Sequence, residues 1–221
     1  MDDVTFPRVT ALVLAGGQSR RMGRNKAFLD FAGAPLIERV IERVQSLCVE
    51  TIIVANDAER YARFGLRIVR DVYQGKGSLG GIFSGLQAAS EEYALAVACD
   101  LPFLNDALLR YLTTLAPQAD VVIPRSHAPT GKAKVATRYE HLAVKDSGLQ
   151  ATQAIYSRRC LEPMRARLLA DDLCIINFFD EVRVRVVEPH EVVRFDPLLL
   201  SFVNVNRPCD LAMALSLVNR K

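Results

Sequence analysis

A chain of 221 residues, 50% of them hydrophobic and 24% charged, can bury a sizeable core and is too apolar to be disordered or collagen-like. Its net charge of +3 provides no global basic field, which argues against nucleic-acid binding as the main role. No apolar run reaches membrane-span length and the acidic opening Met1-Asp2-Asp3 is not a signal peptide, so a cytoplasmic protein with no membrane partner is expected.

Val9, Ala11, Leu12, Val13 and Leu14 form an apolar, partly β-branched run that predicts a buried strand. Gly16 and Gly17 follow it, a pair that lets the backbone turn sharply and approach a ligand that a Cβ would exclude. Arg20, Arg21, Arg24 and Lys26 then cluster around Gly23. Exposed amide groups beside clustered cations suit a polyphosphate. The stretch matches neither the Walker loop nor the dinucleotide fingerprint.

Pro35 to Leu47 has apolar residues at helical spacing, with Glu38, Arg39, Glu42 and Arg43 on the wet face. Thr51 to Ala55 predicts a second strand ending at Asn56-Asp57, a short helix runs through Tyr61, and Leu66 to Arg70 predicts a third strand ending at Asp71. A second glycine-rich loop, Gly75 to Gly81, is expected to feed a helix from Ile82 to about Ala89. Ala94 to Ala98 is fully apolar and predicts a central strand, ending at Cys99-Asp100-Leu101-Pro102-Phe103. A helix over Asp106–Leu115 and a strand over Asp120–Pro124 come next.

Residues 125–149 read as a basic insertion or arm, carrying Lys132, Lys134, Arg138 and Lys145. Strand character returns at Gln153-Ala154-Ile155-Tyr156, and a helix spans Leu161–Leu169. Val182 to Val186 alternates as a half-exposed strand does, and Phe202 to Pro208 precedes a C-terminal helix. Strands alternating with helices at these spacings predict one α/β domain over 1–221 with a mostly parallel sheet. The five cysteines lack C-x-x-C spacing and read as reduced packing residues, not as a zinc site.

Ligands of open α/β sheets sit beyond the carboxyl ends of the strands, and those ends carry Gly16-Gly17, Asn56, Asp71 and Asp100. Asp100 leaves an apolar strand at a sharp turn, where a carboxylate facing a triphosphate would hold Mg²⁺. The competing reading is a cap for the next helix, a role for which Asp106 is better placed. Asn56 and Asp71 are either turn residues or readers of a base such as guanine, whose edges present both donors and acceptors.

Leu14-Ala15-Gly16-Gly17 through Ser19-Arg20-Arg21-Met22-Gly23 to Lys26 resembles the signature loop of small-molecule nucleotidyltransferases, most closely that of the molybdenum cofactor guanylyltransferases. Gly16 favours that branch over the cytidylyltransferases, which more often carry alanine there. The resemblance implies a three-layer, Rossmann-like domain of the nucleotide-diphospho-sugar transferase type. It also implies GMP transfer from GTP to the terminal phosphate of molybdopterin, with Mg²⁺ as cofactor. Leu14, Ala15, Gly16, Gly17, Asn56, Asp71 and Asp100 would then contact the nucleotide, Lys26 and Arg21 its phosphates, and Asp100 the metal. Asn204 and Asn206, in an N-x-N-x-P motif, would border the acceptor pocket, and cofactor-delivery or apoenzyme proteins would be partners.

The chain departs from that family at Asn25, where Asp is usual, at Ser78, where the second loop usually has proline, and at Ala151-Thr152, where a proline is also usual. The rival readings are a cytidylyl- or uridylyltransferase for another phosphorylated acceptor, a non-catalytic nucleotide binder, and a nucleic-acid module resting on the basic stretch alone. Retention of both Lys26 and Asp100 argues against the inactive binder.

Overall fold

A computed structural model describes residues 7–16, 25–127 and 148–218. The strands are β1 (Val9–Leu14), β2 (Asp30–Phe31), β3 (Ala34–Pro35), β4 (Glu50–Val54), β5 (Arg67–Val69), β6 (Tyr93–Ala98), β7 (Val121–Pro124), β8 (Gln153–Ser157) and β9 (Val184–Val187). The helices are α1 (Leu36–Gln45), α2 (Ala58–Tyr61), α3 (Gly77–Ala88), α4 (Asp106–Leu115), α5 (Leu161–Leu169), α6 (Pro189–Val192) and α7 (Pro208–Val218). Seven strands form one sheet in the order β5-β4-β1-β6-β8-β7-β9.

All six residues of β1 are buried, because the strand is covered on both faces. Ala11 and Val13 pack with α1 and α4 through Ile37, Val40, Leu108 and Leu112. Leu12 and Leu14 pack on the other side with α3 and α5 through Ile82, Phe83, Met164 and Leu168. A strand buried on both faces shows continuous apolar sequence instead of alternation, which is why β1 and β6 read so clearly. The result is the expected three-layer α/β arrangement. A smaller cluster of Phe31, Leu36, Val205 and Ala214 seats α7 beside the β2–β3 hairpin.

The sheet is mostly parallel, with one exception. β8 runs antiparallel to both β6 and β7, while β9 is parallel to β7. Strand character at Gln153–Tyr156 could be read from residue type, but direction could not. One helix start and one helix cap also need correction. α3 begins at Gly77, not Ile82, so Gly80, Gly81 and Gly85 lie within the helix. The side chain that caps α4 is Asn105, whose Oδ1 accepts from the Leu108 amide at 2.9 Å; Asp106 is the first helical residue instead.

The glycines of α3 matter for packing. A Cβ on Gly85 would meet Leu12 Cδ1 and Val54 Cγ2 at 2.9 Å each, so the helix sits closer to the sheet than any side chain there would allow. The five cysteines are all free thiols; Cys99 and Cys160 are buried and Cys209 is exposed, so packing does not account for Cys209. Of the basic stretch, Lys132, Lys134, Arg138 and Lys145 lie outside the described residues. Arg125 is not part of a wet charge run: it is 2% exposed, with Nε 3.3 Å from Glu188 Oε2.

Replacing Gly85 with Val should overpack the α3–sheet contact and cost about 1–3 kcal/mol. Thermal denaturation would show a melting point lower by several degrees, whereas Gln87→Ala on the exposed face of the same helix should leave it nearly unchanged.

Candidate active site at the carboxyl edge of the sheet

Register sets this site. Leu14 lies opposite Val54 in β4 and Ala98 in β6, and Val54 lies opposite Val69 in β5. Gly16, Asn56, Asp71 and Asp100 each stand two residues beyond one of those four aligned positions. They therefore form a level row across four adjacent parallel strands. Backbone bonds carry the alignment past the strand ends: Ala15 and Gly16 both donate to Val54 O at 3.0 and 3.1 Å, Ala55 donates to Val69 O at 2.9 Å, and Cys99 to Leu14 O at 3.2 Å.

At one end of the row, Asn56 and Asp71 bind each other reciprocally. Asn56 Nδ2 donates to Asp71 Oδ2 at 2.8 Å, and the Asp71 amide donates to Asn56 Oδ1 at 3.0 Å. Burial raises the pKa of Asp71, against the lowering effect of the Asn56 hydrogen bond. Asp71 Oδ1 lies 3.8 Å from where a Cβ on Gly81 would stand, so the second turn of α3 packs against the carboxylate.

At the other end is the Asp100 carboxylate, whose side chain is 6% exposed. Its Oδ2 accepts from Lys26 Nζ at 2.5 Å, and Lys26 Nζ also reaches Asn206 Oδ1 at 3.2 Å. Asp100 Oδ1 is buried and has no hydrogen-bond partner among the described residues. A buried carboxylate oxygen without a donor is costly, and such an atom suits a cation. Among the described residues no cluster of three or more His, Cys, Asp or Glu side chains could hold a metal. A hard divalent ion bound mainly through phosphate oxygens and water needs few protein ligands, so the donor set fits Mg²⁺ in that mode.

Lys26 opens a short 3-10 helix, Lys26–Phe28, capped by Asn25 Oδ1 accepting from the Ala27 amide at 3.1 Å. Asn206 is brought in by the segment before α7. The Val205 amide donates to Asp100 O at 3.0 Å, and Asp210 Oδ2 accepts from the amides of Asn206 and Arg207 at 3.0 and 2.8 Å. Asn206 thus belongs with Lys26 and Asp100, while Asn204 is exposed on the same segment. Gly17 and Arg21 lie outside the described residues. Cys99, next to Asp100, is no nucleophile: burial foremost, and then the neighbouring carboxylate, push its thiol up to about 12.

One residue of the site had no signal in the sequence. Tyr61, at the end of α2, donates its hydroxyl proton to Ala15 O at 3.0 Å and accepts from Asn25 Nδ2 at 2.9 Å. Of the histidines, His127 is exposed two strands beyond Asp100 on the same edge, His190 lies in α6, and His141 is outside the described residues.

A family model described as the MobA-like NTP transferase domain matches residues 11–177. The molybdenum cofactor guanylyltransferase of Desulfosudis oleivorans is 35% identical over 93% of this chain and 94% of its own length. A probable molybdenum cofactor guanylyltransferase of Pelotomaculum thermopropionicum is 34% identical over 94% of this chain and 92% of its own. Among solved structures, molybdopterin-guanine dinucleotide biosynthesis protein A from Archaeoglobus fulgidus has a TM-score of 0.78 at 23% identity, covering 96% of this chain and all of that one (100%). The 2-C-methyl-D-erythritol 4-phosphate cytidylyltransferase of Thermus thermophilus has a TM-score of 0.68 at 18% identity, with 96% and 99% covered. The fold is therefore common to enzymes named for different bases.

Removing Lys26 as Lys26→Met should leave a buried carboxylate without its cation and destabilise the protein by about 3 kcal/mol or more. Asp100→Asn, which removes the charge itself, should cost less. Urea unfolding of the two variants checks the order.

Proposed function

The chain belongs to the MobA-like NTP transferase family, and on that premise we propose that it transfers GMP from GTP to the terminal phosphate of molybdopterin, releasing pyrophosphate. The observation that carries the reading is the buried Asp100 carboxylate, one oxygen on Lys26 and the other without a donor among the described residues, at one end of a level row of residues along the carboxyl edge of the sheet. The relatives bearing the guanylyltransferase name match nearly end to end, which favours the guanylyl branch over the cytidylyl enzymes that share the fold.

The chemistry asks little of a proton-transfer group. A phosphate monoester is already ionised at neutral pH, so its oxygen can attack the α-phosphorus of GTP in line without a general base. What remains is positioning and charge neutralisation. Gly16 leaves the backbone open to the nucleotide, with a Cβ there meeting, among the described residues, only Val54 O at 3.8 Å. Asn56 and Asp71 stand where the base would lie, the carboxylate accepting from guanine N1–H and N2–H₂. Lys26 neutralises the phosphates and the pyrophosphate as it leaves, and Arg21 is proposed to share that role. Asp100 Oδ1 would hold Mg²⁺, which when bound supplies further neutralisation of the phosphate oxygens. Asn206, beside Lys26, faces the reacting phosphates, and Asn204 on the same segment is assigned to the acceptor. Cofactor-delivery or apoenzyme proteins are proposed as partners, and a cytoplasmic setting is consistent with the absence, among the described residues, of a helix long and apolar enough to cross a membrane.

Thermal-shift measurements with Mg²⁺ should show GTP raising the melting point more than CTP, UTP or ATP, since only a ligand favouring the native state does so; equal shifts would remove the base assignment. Asp100→Ala should abolish transfer, and Lys26→Ala should lower kcat by about 10²-fold, the usual effect of losing one preorganised charge donor.

A pH dependence follows from Asp71. Its raised pKa means that it takes up its proton earlier, as pH falls, than an ordinary Asp at 3.8, and a neutral carboxyl accepts less well from guanine. GTP affinity should weaken on that descent, and Asp71→Asn should lack that limb of the profile while binding more weakly at neutral pH.

A further inference from the structure

Tyr61 is 1% exposed, and its ring lies against Phe28 with centroids 5.2 Å apart. A phenol has one proton to give and lone pairs to receive. Ala15 O can only accept, so at 3.0 Å it takes that proton. Asn25 Nδ2, at 2.9 Å, is therefore the donor to Oη. Burial raises the Tyr61 pKa, more than the Asn25 bond lowers it, so the hydroxyl keeps its proton among its charged and titratable neighbours Asp57, Arg60 and Cys99. Asn25 Oδ1 is engaged as well, by the Ala27 amide at 3.1 Å. Residue 25 must donate on one side and accept on the other. An amide meets both demands; an ionised carboxylate meets only the second.

The bonded groups stand at two places that matter. Ala15 is where β1 delivers the chain to the site, one residue before Gly16. Asn25 immediately precedes Lys26, whose Nζ reaches Asp100. We infer that Tyr61 is a positioning residue, its hydroxyl clamping Ala15 to Asn25 and so fixing the backbone of Lys26 relative to the nucleotide-facing Gly16. The clamp reaches from a helix beyond β4 to the segment before β2, and Tyr61 itself touches no reacting atom. The inference rests on the reading of Lys26 as the phosphate cation.

Two variants test it, Tyr61→Phe, which removes only the oxygen, and Asn25→Asp, which keeps the shape and removes the donor. Amide hydrogen exchange is the readout independent of activity. In Tyr61→Phe, protection at Gly16 and at Ala27 should fall together while β6 is unaffected, and the melting point should stay within about 5 °C of the parent. In GMP transfer at neutral pH, each variant should lose about 10-fold in kcat with a smaller change in KM for GTP, since misplacement of a positioned group acts on the reacting geometry. The double variant should be no slower than the slower single variant, because both cut the same link. Unchanged protection at either amide in Tyr61→Phe overturns the clamp. So do wild-type kcat in Asn25→Asp and losses that multiply in the double variant. If the parent protein transfers no GMP, the proposed function fails on its own account and the exchange measurement still decides whether Tyr61 ties the two segments.

Discussion

Everything at the site depends on β1 being held on four sides. Its side chains are buried against α1 and α4 on one face and α3 and α5 on the other, and its backbone is bonded to β4 and β6 along both edges. A strand so enclosed cannot slip by one residue without turning its side chains toward the wrong layer. The chain therefore emerges at Ala15 and Gly16 at a fixed height relative to β4, β5 and β6. The candidate edge inherits the relative height of its residues from that register.

Electrostatics then divides the edge into two unlike ends. The Asn56–Asp71 pair is closed on itself by two hydrogen bonds, which fix the orientation of the Asp71 carboxylate. The Lys26–Asp100–Asn206 group concentrates charge where the side chain of the carboxylate is only 6% exposed. Burying that charge is expensive in the folded protein. Around the carboxylate itself a low local dielectric strengthens its interaction with Lys26.

Much of this could be read from the chain. Doubly buried strands are legible as unbroken apolar runs, so β1, β4 and β6 stood out, and with them Gly16, Asn56 and Asp100; Asp71 was found at the end of the shorter, less buried β5. Helix starts were less legible where packing outweighed propensity. Gly77, Gly80 and Gly81 suggest a loop by residue type, yet they lie within α3, and at Gly85 the sheet leaves no room for a side chain. The direction of β8 could not be read at all, since hydrophobic pattern is indifferent to chain polarity. Asn204 and Asn206 stood out by their motif, whereas Tyr61 was invisible because a single hydroxyl bonded to a carbonyl 46 positions away leaves no periodic trace.

The placement of β8 also has a temporal side. The open edge of β6 waits for a strand that comes after β7 in the chain, because β8 lies between them in the sheet. As the polypeptide leaves the ribosome, β1, β4, β5 and β6 can associate in the order of their synthesis, whereas β7 has no neighbour to join until β8 has emerged. Until then a fully apolar central strand presents an unpaired side, the kind of edge on which nascent chains aggregate. The half of the sheet carrying the candidate nucleotide edge can thus assemble early, and the half beyond β6 is completed late by insertion, which makes the interval between the two the vulnerable period in the protein's biosynthesis.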